Sequence, residues 1–336
     1  MKRQLRRWTK SCLLPLSAIL FVCVILLQNG FLLTTVSFGA GPVNDMSDNS
    51  NKGLRKLLEK DQLTMEKHQH NRSECVHRLP GCIIIGARKC GTRALIEFLK
   101  LHPQIISPND EVHFFSNDTN YKLGLEWYRE KMPPSCPDQI TIEKTPKYFI
   151  SAISPSRIHR MNSSIKLIAI LRHPTTRVIS DYTQICANKQ AKNETAEPFE
   201  ARALDRQTGH INPDYKATQI SMYYLHIARW LQLFPLEQLH IVDGDNLIVN
   251  PLEEIRKIET FLQLPQEVNP ESIYFNSTRG FYCMRKSKTG PEQCLGVNKG
   301  RKHVNISEKI VSRFNKFFRP HNERLYKLIG RRFSWR

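Results

Sequence analysis

Residues 82–85 read Cys-Ile-Ile-Ile, residues 86–93 read Gly-Ala-Arg-Lys-Cys-Gly-Thr-Arg, and residues 94–99 read Ala-Leu-Ile-Glu-Phe-Leu. The first part is apolar and rich in β-branched residues, which is typical of a buried parallel strand. The last part has the apolar spacing of an amphipathic helix. A glycine loop between strand and helix predicts an anion site, because backbone N–H groups and the helix N-terminus can surround an anion and Lys89 and Arg93 add positive charge. Taken alone, the loop could also be a purely structural turn.

Further apolar runs extend this unit into an α/β domain. Strand patterns over 139–143, 166–171 and 238–243 alternate with helical patterns near 176–186, 218–234 and 252–262. Such alternation predicts a central parallel sheet flanked by helices. We expect this domain to cover residues 80–336. The polar residues 39–79 lack a core-forming pattern and are interpreted as a stem.

The N-terminus predicts membrane targeting. The first ten residues carry five basic and no acidic side chains, and residues 12–38 are apolar and long enough to span roughly 30 Å of hydrocarbon. We therefore expect a cytosolic tail over 1–11 and a transmembrane signal anchor over 12–38. A cleavable signal peptide is the alternative, since small residues follow the apolar run. In both cases the remainder enters the secretory lumen, in agreement with six Asn-x-Ser/Thr glycosylation sequons: Asn71, Asn117, Asn162, Asn193, Asn276 and Asn305.

The charge balance indicates a polyanionic partner. There are 50 Lys+Arg against 31 Asp+Glu, a formal net charge of +19. Lumenal placement excludes nuclear nucleic acid and leaves a sulfated glycan or an anionic membrane surface. Nine cysteines are too few for a disulfide-dense scaffold. Two lie in the apolar segment and seven follow it, so at least one of the seven is free or pairs with another chain.

A second anion site is predicted at the end of the 166–171 strand. Arg172 follows that strand, and ligands of open α/β sheets lie at the carboxyl ends of strands. Ser180, on the next predicted helix, could hold a second phosphate together with Arg172. The alternative is that Arg172 is a solvated strand-end charge. A nucleoside-triphosphate loop would place its lysine after the second glycine, whereas Thr92 and Arg93 follow Gly91 here, so a kinase is disfavoured.

Over about residues 80–335 the sequence resembles the heparan sulfate glucosamine 3-O-sulfotransferases. The matching motifs, in the family's order, are Gly-x-Arg-Lys-x-Gly-Thr-Arg-Ala-Leu at 86–95, Glu-Val-His-Phe-Phe at 111–115, Glu-Lys-Thr-Pro at 143–146, Leu-Arg-x-Pro at 171–174, Ser-Asp-Tyr-Thr-Gln at 180–184, Val-Asp-Gly-Asp at 242–245, Gly-Phe-Tyr-Cys at 280–283 and Lys-Gly-Arg at 299–301. The resemblance implies a P-loop-like sulfotransferase fold in a single lumenal domain. It implies a type II Golgi membrane enzyme that moves a sulfuryl group from 3′-phosphoadenylyl sulfate (PAPS) to the 3-hydroxyl of glucosamine in heparan sulfate.

The resemblance also implies roles for individual residues. The catalytic residues are Glu111 as general base, His113 and Lys144. The donor-binding residues are Lys89, Cys90, Gly91, Thr92 and Arg93 at the 5′-phosphosulfate, Arg172 and Ser180 at the 3′-phosphate, and a closing loop of Lys299, Gly300, Arg301, Lys302 and His303. The glycan-binding residues are Arg88, Glu111, His113, Lys144, Gln184, Lys299 and Arg301. A disulfide between Cys283 and Cys294 is implied in the same way.

General chemistry supports these roles. A sugar hydroxyl is a poor nucleophile near neutral pH, so a carboxylate such as Glu111 must take its proton. Charge then accumulates on the departing phosphate and the sulfuryl oxygens, where Lys89 and Lys144 would stabilise it. We expect no metal requirement, because these cations replace the Mg²⁺ of phosphoryl transfer. Simpler readings stay open: Glu111 as a helix-start carboxylate, His113 as a packed histidine, Lys144 as a strand-end charge and residues 299–303 as a solvated turn.

Four positions depart from the family pattern. Cys90 replaces a second loop glycine, Ser116 an aspartate, His173 an acidic residue and Lys147 a small residue. A thiol at a glycine position would weaken donor binding if that position requires a positive φ or close approach of the ligand. These departures motivate a second hypothesis, namely a catalytically weak or inactive lumenal protein that keeps the fold and binds heparan sulfate.

Overall fold

The computed structural model describes residues 75–285, 290–296 and 300–335. The predicted tail, anchor and nearly all of the stem lie outside the described residues. No helix within the described ranges is both long and apolar enough to cross a membrane. The strands are β1 (Val76–His77), β2 (Cys82–Gly86), β3 (Ile105–Ile106), β4 (Pro134–Ser135), β5 (Ile140–Lys144), β6 (Lys166–Leu171), β7 (Leu239–Asp243), β8 (Ile273–Asn276), β9 (Phe281–Arg285) and β10 (Glu292–Gln293). The α-helices are α1 (Thr92–Leu99), α2 (Asp118–Tyr121), α3 (Gly124–Glu130), α4 (Ser154–Met161), α5 (Pro174–Gln190), α6 (Phe199–Ala203), α7 (Lys216–Ser221), α8 (Tyr223–Leu231), α9 (Asn246–Val249), α10 (Pro251–Leu262) and α11 (Glu308–Ile329).

A parallel five-stranded sheet forms the centre of the domain, in the order β3-β5-β2-β6-β7. The strand β2 lies in the middle and pairs with β5 on one side and β6 on the other. Every residue of β2 is buried, as expected when helices cover both faces of a parallel sheet. The predicted α/β architecture is therefore confirmed. Because β2 is central, the loop that leaves it lies at the middle of the sheet's carboxyl edge.

The predicted strands are observed with small shifts at their ends. The 166–171 strand has its predicted bounds, while β5 and β7 each begin one residue later than predicted. The single helix expected over 218–234 is wrong, since two helices, α7 and α8, occupy this part of the chain. Met222 between them has φ −80° and ψ 64°, which is not a helical conformation.

The unpredicted elements include the antiparallel sheet β10-β9-β8 and the 22-residue helix α11. A disulfide joins Cys283 of β9 to Cys294, the pair that the family resemblance implies. A second disulfide, between Cys75 and Cys136, brackets the two-stranded β1–β4 pair and is not implied by the sequence.

The core has two parts. The larger part surrounds the central sheet, and the smaller one packs α5 against α6 and α11. In the smaller core, Val178, Phe314 and Phe318 are fully buried. Each such side chain stabilises the fold by roughly 1.5–3 kcal/mol relative to an exposed one. This packing fixes α5, the helix that carries Ser180 and Gln184.

Candidate active site

The glycine loop lies at the carboxyl end of β2 and leads directly into α1. Gly91 precedes the helix with φ 109°, and Lys89 has φ 71°, so the chain turns sharply at both residues. A Cβ atom added to Gly86 would lie 2.6 Å from Cβ of Phe149 and 2.7 Å from the carbonyl oxygen of Pro146. Glycine is thus required at position 86, where the loop packs against the chain after β5. The side chain of Thr92 is nearly buried at the start of the helix.

Cys90 turns its side chain away from the loop and into the core. The thiol is fully buried, and Sγ lies 3.6 Å from the hydroxyl oxygen of Tyr223. That hydroxyl donates to the carbonyl oxygen of Arg172 at 3.0 Å. Burial raises the pKa of the Cys90 thiol. Cys90 has no positive φ, so the thiol imposes no left-handed backbone strain.

Arg172 lies beside the loop, at the carboxyl end of β6. Its Nε atom lies 2.9 Å from Oδ1 of Asp245, and the other oxygen of Asp245 accepts a 2.6 Å hydrogen bond from the backbone N–H of His173. A Cβ atom on Gly244 would lie 2.6 Å from the carbonyl oxygen of Cys90. The turn after β7 therefore contacts the glycine loop directly. Asp245 was missed as the partner of Arg172, although Asp-Gly-Asp at the end of a neighbouring predicted strand was an available signal.

The helix α5 holds the loop from the other side through a buried arginine. Arg177 is fully buried and donates hydrogen bonds to the carbonyl oxygen of Arg88 at 3.3 Å and to Oγ of Ser221 at 2.7 Å. It also pairs with Asp181 at 2.9 Å, and the second oxygen of Asp181 lies 3.2 Å from the guanidinium of Arg88. Ser180, on the same helix, is 8% exposed. Arg177 and Asp181 were missed as supports of the loop; their spacing of four residues on a helix was the signal.

The segment after residue 299 contacts both anion-binding elements. The side-chain oxygen of Gln184 accepts hydrogen bonds from Arg301 at 2.7 Å and from Lys89 at 3.5 Å. Burial, together with the charges of Arg172 and Lys89, lowers the pKa of His303. The structure thus brings Arg301 and His303 to the glycine loop and Arg172. Gly300 is exposed and precedes Arg301, Lys302 is exposed, and Lys299 lies outside the described residues.

The side chain of Arg93 binds residues outside the glycine loop. Its guanidinium donates to the carbonyl oxygen of Asn109 at 2.7 Å and pairs with Glu97 at 3.0 Å. This places its charge near the segment that carries Glu111, and links the first turn of α1 to that segment.

Three predicted catalytic residues meet at the carboxyl end of β5. Oε1 of Glu111 lies 2.5 Å from Nζ of Lys144, and Oε2 lies 3.5 Å from Nε2 of His113. The Lys144 side chain is 7% exposed whereas that of Glu111 is 37% exposed. Burial lowers the pKa of His113; Glu111 opposes this, and the charges of Lys147 and Lys144 reinforce it. The carboxylate is therefore open to solvent, with an ammonium behind it and a neutral imidazole beside it at neutral pH.

Two polar atoms near this centre have no hydrogen-bond partner among the described residues. They are Nδ1 of His113 and Oγ of Ser116, both buried. Ser116 stands where the family pattern has an aspartate, so the structure leaves an unpaired hydroxyl where a second carboxylate would be expected.

Most of the predicted glycosylation sequons lie at the surface. Asn117, Asn162, Asn193 and Asn305 are exposed, Asn276 is half-buried, and Asn71 lies outside the described residues. The side chain of Asn117 also caps α2 by accepting a hydrogen bond from the backbone N–H of Thr119 at 2.9 Å. As for metals, no group of three His, Cys, Asp or Glu side chains within the described ranges could hold an ion.

A glycine loop at the centre of a parallel sheet, with cations around it and an exposed carboxylate at the end of the neighbouring strand, is the arrangement of a group-transfer enzyme that takes an anionic donor. Residues 79–332 match the family described as "Sulfotransferase domain". The chain is 50% identical over 269 residues to heparan sulfate glucosamine 3-O-sulfotransferase 5 of Mus musculus, covering 80% of this chain and 78% of the relative. It is 40% identical over 259 residues to heparan sulfate glucosamine 3-O-sulfotransferase 6 of Homo sapiens, covering 77% and 74%. The chain therefore belongs to the sulfotransferase family, among the heparan sulfate glucosamine 3-O-sulfotransferases.

A solved structure agrees on the fold. The sulfotransferase from Alicyclobacillus acidocaldarius superposes with a TM-score of 0.56 at 20% identity, covering 76% of this chain and 98% of that one. At this identity the likeness concerns the fold alone.

Proposed function

We propose that this protein transfers a sulfuryl group from PAPS to the 3-hydroxyl of a glucosamine residue in heparan sulfate. The observation that carries the proposal is the Glu111–Lys144 pair at 2.5 Å, with its exposed carboxylate, at the end of a strand adjacent to the glycine loop. Ile84 of β2 and Lys144 of β5 are register partners, so the pair and the loop share one edge of the sheet. The similarity to named 3-O-sulfotransferases supports the acceptor position.

The anion-binding elements fit a donor of this kind. PAPS, when bound, supplies an activated sulfuryl group on a phosphate that leaves with the electron pair of the broken S–O bond. Lys89, Arg172 and Arg301 provide cations around the loop, while Gly86 and Gly244 let the loop pack closely against the chain after β5 and the turn after β7. The N–H groups at the start of α1 add further donors. Two separated anion-binding elements, the loop and the Arg172–Ser180 pair, suit a donor that carries a phosphosulfate and a second phosphate.

Glu111 acts as the general base in this proposal. Its exposed carboxylate takes the proton of the sugar hydroxyl as the oxygen attacks sulfur. The ammonium of Lys144 stabilises the negative charge that develops on the transferred group and on the departing phosphate. His113 is neutral, so one ring nitrogen can donate a hydrogen bond to the carboxylate and the other can accept one, without adding charge.

The charge at the mouth of the site supports the proposed acceptor. Exposed Arg88 and the Gln184–Arg301 contact present positive charge at the mouth of the site, as a sulfated glycan requires.

We further propose a single-pass type II protein of the Golgi membrane with a lumenal catalytic domain. The apolar residues 12–38, the sequons and the two disulfides support this placement, since disulfides persist in oxidising compartments. Protease protection of the full-length chain in microsomes tests the lumenal orientation of the catalytic domain.

The alternative of a non-catalytic heparan-binding protein is not favoured. It was motivated by Cys90 and Ser116; the Cys90 thiol is accommodated in the core without a positive φ, whereas Ser116 leaves a buried hydroxyl with no partner among the described residues. The base, its ammonium partner and the imidazole are all assembled. The site therefore contains the groups that turnover needs.

Donor-dependent sulfation by the full-length chain tests the proposal. Heparan sulfate is incubated with labelled PAPS, and disaccharide analysis locates the new sulfate at the glucosamine 3-hydroxyl. Glu111→Gln should lower kcat by at least about 100-fold, because general-base catalysis is lost. Its affinity for adenosine 3′,5′-bisphosphate, measured by calorimetry, should remain that of the wild type. Glu126→Gln, which removes an exposed carboxylate paired with Arg129, is the matched control and should retain full activity.

Two results would contradict the proposal. Equal turnover by Glu111→Gln and wild type would exclude Glu111 as the base. No transfer by the wild type, despite tight binding of heparan sulfate, would instead support the non-catalytic binder.

A further inference from the structure

Glu143 is a buried carboxylate next to the catalytic centre, and the roles above do not use it. It is 0% exposed, at the end of β5 and directly before Lys144. The hydroxyl of Thr145 donates to its Oε1 at 2.5 Å, and the hydroxyl of Tyr128 donates to its Oε2 at 3.3 Å. A buried carboxylate is costly unless such donors satisfy it.

These contacts lead to the backbone that follows the general base. The backbone N–H of Val112 lies near Glu143 and acts to lower its pKa, and the backbone N–H of His113 donates to Oγ1 of Thr145 at 3.3 Å. The strand end therefore holds the backbone after Glu111 through the Thr145 hydroxyl, which donates to Glu143. His113 has φ 55°, a left-handed conformation that a non-glycine residue adopts only where its surroundings hold it.

Three consecutive residues at the end of β5, residues 143–145, thus hold the short segment 111–113. Thr145, whose hydroxyl donates to Glu143, binds the backbone N–H of His113, and Lys144 between the two binds the side chain of Glu111. Because neighbouring side chains on a strand point to opposite faces, Glu143 and Lys144 reach the segment from two sides. An error of about 1 Å in the position of a catalytic group can cost roughly 100-fold in rate.

We propose that Glu143 and Thr145 are positioning residues, which hold residues 111–113 in the backbone conformation that aims the Glu111 carboxylate at the acceptor hydroxyl. The inference rests on the proposed function of Glu111. It predicts that loss of the Thr145 hydroxyl lowers kcat while donor binding is unchanged, since the glycine loop and Arg172 are untouched.

The test compares two buried threonines of the same region. Thr145→Val removes the hydroxyl that joins Glu143 to the His113 N–H, whereas Thr141→Val removes a hydroxyl that donates to Oγ of Ser135 at 3.0 Å. Both side chains are buried, so both variants lose one internal hydroxyl. We expect Thr145→Val to lower kcat by about 10- to 100-fold. We expect Thr141→Val to keep the wild-type kcat, and Thr145→Ser, which retains the hydroxyl, to restore most of the lost rate.

A second readout separates this inference from the proposed function. The NMR signal of the His113 ring, assigned with a His113→Gln variant, should shift in Thr145→Val and stay unchanged in Thr141→Val. If the wild type transfers no sulfate, the proposed function fails, and the His113 signal still decides whether Thr145 fixes this segment. If the wild type is active and Thr145→Val matches Thr141→Val in kcat and spectrum, the positioning role is wrong. Should Thr145→Val not fold, Glu143→Gln is measured in the same way, with a lowered kcat at unchanged donor affinity expected and a wild-type kcat contradicting the inference.

Discussion

The ammonium of Lys144 lies 2.5 Å behind the carboxylate of Glu111, and the two side chains differ sharply in exposure, 7% against 37%. In the proposed mechanism, the more exposed base faces the acceptor while its counter-ion is held in the protein. When the proton of the sugar hydroxyl reaches Glu111, the attraction between the pair weakens. The buried ammonium is then free to interact with the negative charge that grows on the sulfuryl oxygens. In this mechanism Lys144 therefore pairs with Glu111 before the reaction and stabilises the sulfuryl group during it.

Replacing Lys144 tests this double role. Lys144→Met keeps the length and apolar stem of the side chain but removes its charge. We expect kcat to fall by about 100- to 1000-fold, as when a transition-state donor is removed. Radiolabel transfer at saturating PAPS and heparan sulfate measures the change. The control is Lys189→Met, which removes the α5 lysine of an exposed pair with Glu194 and should leave kcat unchanged. A loss confined to the KM of the acceptor would contradict a role of Lys144 in the transition state.

The centre of the sheet could be predicted because β2 and β6 are nearly continuous apolar runs. β5 and β7 carry polar residues among their apolar ones, and the alternation of strand and helix patterns along the chain located them. The short β3 and the β8–β9–β10 sheet carry no such signal. The helix α11 is amphipathic, but Pro320 within it and its many charges hide the apolar stripe. The break at Met222 depends on tertiary packing, which local propensity does not report.

Site residues could be predicted where the side chain itself performs the chemistry. Residues that only hold another side chain in place could not. Glu111, Lys144 and Arg172 follow from charge next to strands and from the family motifs. Asp245, the partner of Arg172, comes from the turn after β7, and Arg177 joins α5 to the carbonyl oxygen of Arg88, so both pairings depend on how these elements fold together. The direction of the Cys90 side chain likewise could not be predicted from the sequence, because it depends on the buried hydroxyl of Tyr223.

Gln184 is expected to hold two cations at the mouth of the site. Its oxygen accepts from Arg301 at 2.7 Å and from Lys89 at 3.5 Å, so it offsets their mutual repulsion. Gln184→Ala should raise the KM for heparan sulfate by about 5- to 10-fold, the equivalent of one or two hydrogen bonds. The control is Asn188→Ala, since Asn188 accepts from the amide nitrogen of Gln184 at 2.7 Å and contacts neither cation through this bond. Similar KM values for both variants would contradict this role.

Lys147 is expected to favour acceptors with more sulfate groups. Its side chain is exposed, and its charge contributes to the lowered pKa of His113, so it lies on the catalytic side of the strand end. Lys147→Ala should weaken binding of a highly sulfated acceptor by about 2- to 5-fold, as for a surface charge pair, and affect a sparsely sulfated one less. The ratio of the two kcat/KM values measures this. Lys309→Ala, an exposed lysine at the start of α11, should leave the ratio unchanged. An unchanged ratio in Lys147→Ala would contradict the prediction.

Glu143 is expected to make stability depend on pH in an unusual direction. Burial raises its pKa from 4.5 to about 7, against the opposing hydrogen bonds of Thr145 and Tyr128. Between these two values the folded protein keeps a proton that the unfolded chain has lost, so the free energy of unfolding falls as pH rises. Glu143→Gln lacks this ionisation. Relative to that variant, the wild type should lose on the order of 3 kcal/mol between pH 4.5 and about 7 and little more above it. Urea unfolding of both proteins at several pH values measures the difference, and a difference that is constant with pH would show that Glu143 ionises alike in the folded and unfolded states.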